Sequence, residues 1–300
     1  MTLGERLGFA PEARLLIVNA DDFGMCHAAN EAILSLLQER AVSSATMMMP
    51  CGWAKEAALW SAANPEHDIG VHLTFTSEWT GYKWGPVTRA GDVRTLVTQE
   101  GYFPADCASF EPRADRDQVR QEIVGQIEMA RSMGVDPTHL DNHMGSLYGL
   151  VTGRHFLDVV LEVCVRYGLP FRVPRYLPEM DNVPAEAAET ARHVAEMADR
   201  MGVVILDYLL GLPFGKQPGE TYESYKRDMI AALRSLKPGV SEIIIHPAFA
   251  NEELRSIHHE GEKRQWDFEL FRDPEVREVL LQEGIRFIRW KELRELQRQG

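Results

Sequence analysis

The sequence feature that most constrains the fold is a regular alternation of short β-branched or apolar runs with longer amphipathic stretches. This alternation is typical of βα units, in which each strand is followed by a helix that packs on the sheet. The short runs predict eight strands, at residues 14–19, 44–49, 68–73, 138–141, 170–173, 203–206, 241–245 and 285–288. The longer stretches predict eight helices, at residues 27–40, 53–64, 116–133, 155–167, 185–201, 222–236, 274–282 and 290–298.

Eight strands joined by helices favour an α/β fold, a distorted (β/α) barrel of the TIM type. A chain of 300 residues is an ordinary length for one such barrel. The sequence shows no internal repeat, low-complexity tract or linker that would separate two domains. We therefore expect residues 1–300 to form a single domain.

One interval, residues 74–112, follows the third predicted strand and has no clean helical or strand period. Among its glycines and prolines stand the aromatic residues Trp79, Tyr82, Trp84, Tyr102 and Phe103. Loops after the strands form the working face of a βα barrel. The interval is predicted to be an inserted lid or sugar platform, with Trp79 and Trp84 as candidate substrate-binding residues. A small satellite cluster of aromatic side chains is the alternative.

Composition and charge exclude several classes of function. The chain is 45% hydrophobic and 26% charged, which is typical of a globular protein. Its net charge of −13 would repel a phosphate backbone, so we expect no nucleic-acid partner. The charged N-terminal residues and the absence of any run of ~20 apolar residues argue against a signal peptide and a membrane span. We predict a cytoplasmic protein whose four cysteines are free thiols, and a homodimer is a candidate assembly.

Known catalytic motifs narrow the chemistry further. The sequence contains no G-x-S-x-G nucleophile elbow, no phosphate-binding P-loop and no G-x-G-x-x-G dinucleotide fingerprint. Serine hydrolases, P-loop nucleotidases and dinucleotide-dependent enzymes therefore receive no support.

Polar residues recur where the predicted strands end. In βα barrels catalytic groups come from the C-terminal ends of several different strands. A set of Asp and His residues at these positions therefore indicates chemistry more than stability. In chain order the set is Asp21, Asp22, His72, Asp141, His143, Arg172 and His246.

Three of these residues form a candidate metal site. Two imidazoles and one carboxylate make a three-ligand set that leaves positions open for water and substrate, and we select Asp22, His72 and His143. Asp21 is then left as a base next to the ion. Two alternatives stay open, since a lone His72 could be a buried structural histidine and the Asp pair could be a polar turn that caps the following helix. Asp141, two residues before His143, could orient an imidazole or bind the reacting group.

The motifs VNADDFG, IGVHLTF, PTHLDNHMG, LPFRVPR and EIIIHP, in this order, resemble those of the YdjC/ChbG/HpnK family of carbohydrate deacetylases. The resemblance implies a distorted βα barrel that uses one divalent metal ion, Mg²⁺ or Zn²⁺, to hydrolyse the acetamide of an N-acetylated amino sugar or oligosaccharide such as chitobiose. It implies metal ligation by Asp22, His72 and His143, with Asp21 as the base.

The resemblance also implies roles for residues of the later strands. His246 falls at an active-site histidine of the family, and we expect it to protonate the departing amine. Arg172 falls at a substrate-side arginine, and we place Asp141 with it among the substrate-binding residues. One departure concerns the sugar pocket: many members continue the fourth-strand motif with a further histidine, whereas His143 is followed here by Met144 and Gly145.

Two alternative functions stay open. The chain could hydrolyse another amide, or it could be a sugar-binding barrel that has lost its chemistry. A glycosidase is disfavoured, because two acids that flank a glycosidic bond must lie at least about 5 Å apart, which neighbours in sequence do not readily achieve.

Overall fold

A parallel sheet forms the centre of the molecule in the computed structural model, which describes residues 2–177, 185–258 and 261–300. In the described part of the chain the sheet has nine strands in the order β6-β5-β4-β3-β2-β1-β8-β7, with β9 beside β1. The strands are β1 (Arg14–Phe23), β2 (Ser44–Met47), β3 (Ile69–Leu73), β4 (Leu140–Asn142), β5 (Phe171–Pro174), β6 (Ile205–Leu206), β7 (Tyr208–Leu210), β8 (Gly239–Ile245) and β9 (Arg286–Phe287).

The two ends of the sheet meet in one segment of chain. β6 pairs with β5, and β7 pairs with β8, while only Asp207 separates β6 from β7. This segment brings the sheet close to a closed barrel, so the predicted fold class is confirmed. The predicted strand at 203–206 begins later and continues as β7. The predicted eighth strand exists as β9, but it pairs only with Leu15 and Leu16 of β1.

Burial explains why the strands read as apolar runs. β1 lies between β2 and β8, and its residues from Leu15 to Phe23 are all buried. A strand of a parallel sheet is covered on both faces, which favours continuous Val, Ile and Leu rather than alternation. β1 also runs four residues past its predicted end at residue 19 and includes both aspartates of the NADDFG motif. Its carboxyl end is therefore polar inside a buried strand.

The eight predicted helices are all present, and four short or irregularly patterned helices were not predicted. The predicted set is α2 (His27–Gln38), α3 (Ala54–Ala63), α5 (Arg116–Ser132), α6 (Leu157–Tyr167), α7 (Ala185–Met201), α8 (Tyr222–Arg234), α11 (Pro274–Gln282) and α12 (Trp290–Gln299). The additional helices are α1 (Leu3–Arg6), α4 (Cys107–Phe110), α9 (Glu252–Ile257) and α10 (Gly261–Leu270). α10 carries interspersed charges, so its sequence has no clear apolar stripe.

The interval after β3 runs without helix or strand from Thr74 to Asp106 and then enters α4. Its base is fixed by two buried side chains of α5. Gln126 exchanges hydrogen bonds with the backbone of Thr74, and Glu122 accepts the backbone N–H groups of Val87 and Thr88, each at 3.0 Å. The role of this interval as a lid stays a prediction. Among the described residues no helix combines the length and the apolar character that a membrane crossing requires.

Candidate metal centre and active site

The Asp and His residues singled out in the sequence lie together at the carboxyl ends of the strands. Asp21 and Asp22 end β1, His72 lies in β3, His143 directly follows β4 and His246 directly follows β8. These strands are parallel, so their carboxyl ends meet at one rim of the barrel.

A break in the regular structure of β1 aims Asp22 into the site. The register with β2 shifts between Ala20 and Phe23, and Asp22 has a φ of 67°, a left-handed conformation that costs a residue with a side chain about 1–3 kcal/mol. Gly24 follows with a φ of 88°, and a Cβ atom there would lie 2.8 Å from the Cα atom of Ala54. The glycine of the motif is therefore required by close approach of the backbone.

The three predicted metal ligands face one another. Nε2 of His72 lies 3.5 Å and Nδ1 of His143 lies 3.4 Å from Oδ1 of Asp22. One potential ligand atom from each residue lies within 4.8 Å of the others. Asp22 is fully buried, its Oδ2 forms an ion pair with Arg264, and its Oδ1 accepts no aligned hydrogen bond from any group in the described ranges. A buried carboxylate oxygen without a hydrogen bond is costly, and a divalent cation at Oδ1 would compensate it. The donor set therefore fits a divalent metal ion.

Asp141 holds the other nitrogen of His72. Its Oδ1 lies 2.6 Å from Nδ1 of His72, and its Oδ2 accepts the Thr46 hydroxyl at 2.7 Å. A hydrogen bond at Nδ1 fixes the tautomer that leaves Nε2 free to bind a metal. Asp141, expected among the substrate-binding residues, is completely buried here and contacts protein groups.

Arg172 forms a two-point ion pair with Asp21 in the barrel interior. Its guanidinium binds both oxygens of Asp21, at 2.6 and 2.7 Å, and also contacts Asp141 at 2.8 Å and Glu242 at 2.6 Å. Arg172 is only 2% exposed, so the structure places this expected substrate-side arginine among carboxylates and away from the open surface. Burial raises the pKa of Asp21, but Arg172 and His72 outweigh burial and hold that pKa well below its usual range. Asp21 is therefore ionised.

His246 lies near Asp21 at the same rim. Its Nε2 lies 3.9 Å from Oδ2 of Asp21, and its backbone N–H donates to Asp267 of α10 at 2.8 Å. Burial lowers the pKa of the His246 imidazole, and the opposing effect of Asp22 and Asp21 is smaller.

Three residues at the site were not identified from the sequence. Oε2 of Glu78 lies 3.1 Å from Nε2 of His143, and Nη1 of Arg264 forms an ion pair with Oδ2 of Asp22 at 2.8 Å. Phe214, 66% exposed, packs its ring perpendicular to the His246 imidazole at 4.7 Å. All three lie in loops or in α10, where the sequence has no period from which their direction could have been predicted.

The Glu78 carboxylate also changes the charge of His143. Burial lowers the pKa of the His143 imidazole, but Glu78 and Asp22 outweigh burial and raise it to about 10. The imidazole is thus cationic in the metal-free protein, and a metal ion would bind in exchange for its proton.

The two candidate tryptophans of the interval after β3 lie beside the site in different environments. Trp84 is buried, donates its indole N–H to the backbone oxygen of Thr76, and has its ring 6.1 Å from that of His143. Trp79 is partly buried and stacks on the His258 ring at 5.3 Å. Both contribute to the wall of the site. Met144, at the departure from the family motif, is 46% exposed and has a φ of 53°.

Comparisons with known proteins agree with this geometry. A family model described as YdjC-like protein matches residues 15–282. A carbohydrate deacetylase of Thermus thermophilus is 31% identical over 295 residues, which are 98% of this chain and 99% of that protein. A carbohydrate deacetylase of Thermoanaerobacter pseudethanolicus is 26% identical over 91% of this chain and 96% of its own length. A crystal structure of a candidate cellobiose-phosphate cleavage protein from Enterococcus faecalis superposes with a TM-score of 0.73, at 26% identity over 94% of this chain and 99% of that chain.

Proposed function

Because this chain belongs to the YdjC-like family, we propose that it is a metal-dependent hydrolase that removes the acetyl group from an acetylated amino sugar. The observation that carries the proposal is the buried Asp22 carboxylate, whose Oδ1 accepts no aligned hydrogen bond among the described residues and faces the imidazoles of His72 and His143. The ionised Asp21 lies beside it. Relatives that match nearly the whole chain are named carbohydrate deacetylases, which supports the substrate class.

Asp22, His72 and His143 would hold the metal ion through Oδ1, Nε2 and Nδ1, the atoms that converge. When bound, a divalent ion supplies Lewis acidity to the acetamide carbonyl and to water. Two imidazoles and one carboxylate suit Zn²⁺ better than Mg²⁺, which prefers oxygen ligands.

Asp21 is the base that takes the proton from the attacking water. Arg172 donates hydrogen bonds to both of its oxygens, so the carboxylate has one orientation and stays ionised. The same ion pair makes Asp21 a weak base, because it stabilises the charged form. Asp21 can therefore take a proton only from a water whose pKa is lower than that of bulk water. A metal ion held by Asp22, His72 and His143 would lower the pKa of that water.

His246 supplies a proton to the departing nitrogen. An amide does not expel a free amide anion in water, so the tetrahedral species needs an acid near the nitrogen as it collapses. Nε2 of His246 lies 3.9 Å from Oδ2 of Asp21, and the side chain is 18% exposed, which lets the imidazole reach a substrate. Its backbone is held by Asp267, which fixes the position of the ring at the rim.

The exposed ring of Phe214 next to His246 suits a sugar, because sugar C–H faces pack on aromatic rings. We therefore place the sugar that carries the leaving amine between Phe214 and the wall formed by Trp79 and Trp84. A chitooligosaccharide is the substrate class with which to begin.

The test is acetate release from N-acetylglucosamine and from short chitooligosaccharides, measured before and after chelation and after Zn²⁺ is restored. His72→Ala and His143→Ala are expected to lose bound metal and most activity while still folding. His193→Ala, at an exposed histidine of α7, is the matched control and should retain both. A wild-type protein that binds metal but releases no acetate from any acetylated sugar would favour a sugar-binding barrel.

A further inference from the structure

Each of the three ligand residues has a second polar atom, and each of these atoms is held by a partner from another part of the chain. Asp141 holds His72, Arg264 holds Asp22 and Glu78 holds His143. Asp141 lies in the strand next to β3, so its contact follows from strand pairing. The other two contacts are made by Glu78, in the interval after β3, and by Arg264, in α10. Strand pairing does not determine the position of either residue.

We propose that Glu78 is a positioning residue of the metal centre and that, with its neighbour Trp79, it links metal binding to the order of residues 74–84. This inference rests on the proposed metal-dependent function. Glu78 fixes the orientation of His143, while Trp79 supports the arginine that fixes Asp22. Residues of the interval after β3 thus hold the residues that would bind the metal.

The geometry at His143 gives Glu78 its role. The carboxylate lies at Nε2, whereas Nδ1 points to Asp22. A carboxylate at Nε2 accepts the N–H there, so the proton that a metal ion would displace is the one on Nδ1. The Glu78 side chain is about one-fifth exposed and that of His143 is nearly buried, so water replaces this bond poorly.

A second contact ties the same dipeptide to Asp22. The guanidinium carbon of Arg264 lies 5.8 Å from the centre of the Trp79 ring, and Nη1 of Arg264 lies 2.8 Å from Oδ2 of Asp22. Oδ1 of Asp22 therefore faces the two histidines, while Oδ2 is bound by Arg264. Two adjacent residues, Glu78 and Trp79, thus act on two of the three ligand residues.

The base of the interval is anchored independently of these contacts. Gln126 and Glu122 of α5 hold Thr74 and Val87, on either side of the dipeptide. Replacing Glu78 should therefore leave the barrel folded and change only how the segment between the anchors is ordered.

The experiment compares wild type, Glu78→Ala and Glu78→Gln, with Asp92→Asn as the matched control. Asp92 lies in the same interval, and its carboxylate pairs with Arg94 on the surface. Zn²⁺ affinity is measured by titration calorimetry against a competing chelator, and amide hydrogen exchange of residues 74–84 is measured with and without Zn²⁺. Thermal unfolding of the metal-free proteins reports folding separately.

We expect Glu78→Ala to weaken Zn²⁺ binding ~10- to 100-fold, as is typical when the partner of a ligating histidine is removed. Glu78→Gln should lose less, because its amide oxygen can still accept the N–H of Nε2. In the wild type, Zn²⁺ should slow exchange in residues 74–84, and saturating Zn²⁺ should fail to do so in Glu78→Ala. Asp92→Asn should behave as the wild type.

Two results would overturn the proposal for Glu78 alone: unchanged Zn²⁺ affinity and exchange in Glu78→Ala, or an equal loss in Asp92→Asn. If Glu78→Ala does not fold, Glu78→Gln decides the question, and wild-type affinity and exchange in that variant overturn the proposal. Failure of the wild-type protein to bind Zn²⁺ would overturn both this inference and the proposed metal centre.

Discussion

Replacing Asp141 with asparagine would change which nitrogen of His72 carries the proton. The carboxylate accepts from His72 Nδ1 through Oδ1, and from Thr46 and Arg172 through Oδ2. An asparagine has one oxygen and one amino group, so one of the two sides must receive a donor in place of an acceptor. The variant therefore has two arrangements, and their costs differ.

If the amino group faced Arg172 and Thr46, a buried guanidinium would lose a partner, which costs about 3–5 kcal/mol. If it faced His72, Nδ1 would have to accept a hydrogen bond, and the proton would move to Nε2. That change alters one neutral hydrogen bond, worth about 1 kcal/mol. The arrangement in which the amino group faces His72 therefore has the lower free energy. A protonated Nε2 cannot bind a metal ion. We expect Asp141→Asn to fold but to bind Zn²⁺ ~10- to 100-fold more weakly, about 1.4–2.8 kcal/mol.

The assay is Zn²⁺ titration calorimetry, with the tautomer of His72 read from ¹⁵N chemical shifts of the metal-free protein. Thr46→Val is the matched control, because it removes the Thr46 hydrogen bond to Oδ2 of Asp141 and leaves Oδ1 as the acceptor for Nδ1 of His72. The Thr46 hydroxyl also accepts from Asn19, so this variant should lose about 2 kcal/mol of stability and keep its Zn²⁺ affinity. Zn²⁺ binding by Asp141→Asn within about twofold of wild type, or an unchanged tautomer, would refute the reasoning.

Three further predictions concern the proton transfers and the barrel. Asp21→Asn should keep its metal and lose kcat by ~10²–10⁴-fold, and loss of metal instead would exchange the roles of the two aspartates. His246→Gln should keep its metal, lose activity on an amide far more than on an activated ester, and flatten the alkaline limb of the pH–rate profile; equal losses on both substrates would indicate positioning. Burial raises the pKa of Asp68 from 3.8 to about 6. Its stabilising contribution is therefore complete below about pH 4 and is lost as the pH rises through 6, a change of about 3 kcal/mol. Asp68→Asn should remove this change, and parallel denaturation curves for the two proteins between pH 4 and 7 would contradict it.

The sequence determined the fold class and brought the candidate ligand set together, because periodicity places the strands and the strand ends place the polar residues. Apolar runs fix which segments become buried strands, and the parallel arrangement brings all their carboxyl ends to one rim. Asp22, His72 and His143 could therefore be grouped although the two histidines lie on different strands. The placement of Asp141 beside His72 is the register of two adjacent strands, in which these residues are paired.

Only the tertiary structure decided what surrounds those ligands. Arg172 carries a family motif in its sequence, yet its burial among three carboxylates depends on which side chains enter the barrel interior from β1, β4 and β8. The sequence around Glu78 and Arg264 has no regular hydrophobic periodicity. It therefore does not predict which way either side chain points. Their contacts with His143 and Asp22 arise from how the interval after β3 and α10 pack across the rim, a long-range property that local sequence patterns do not encode.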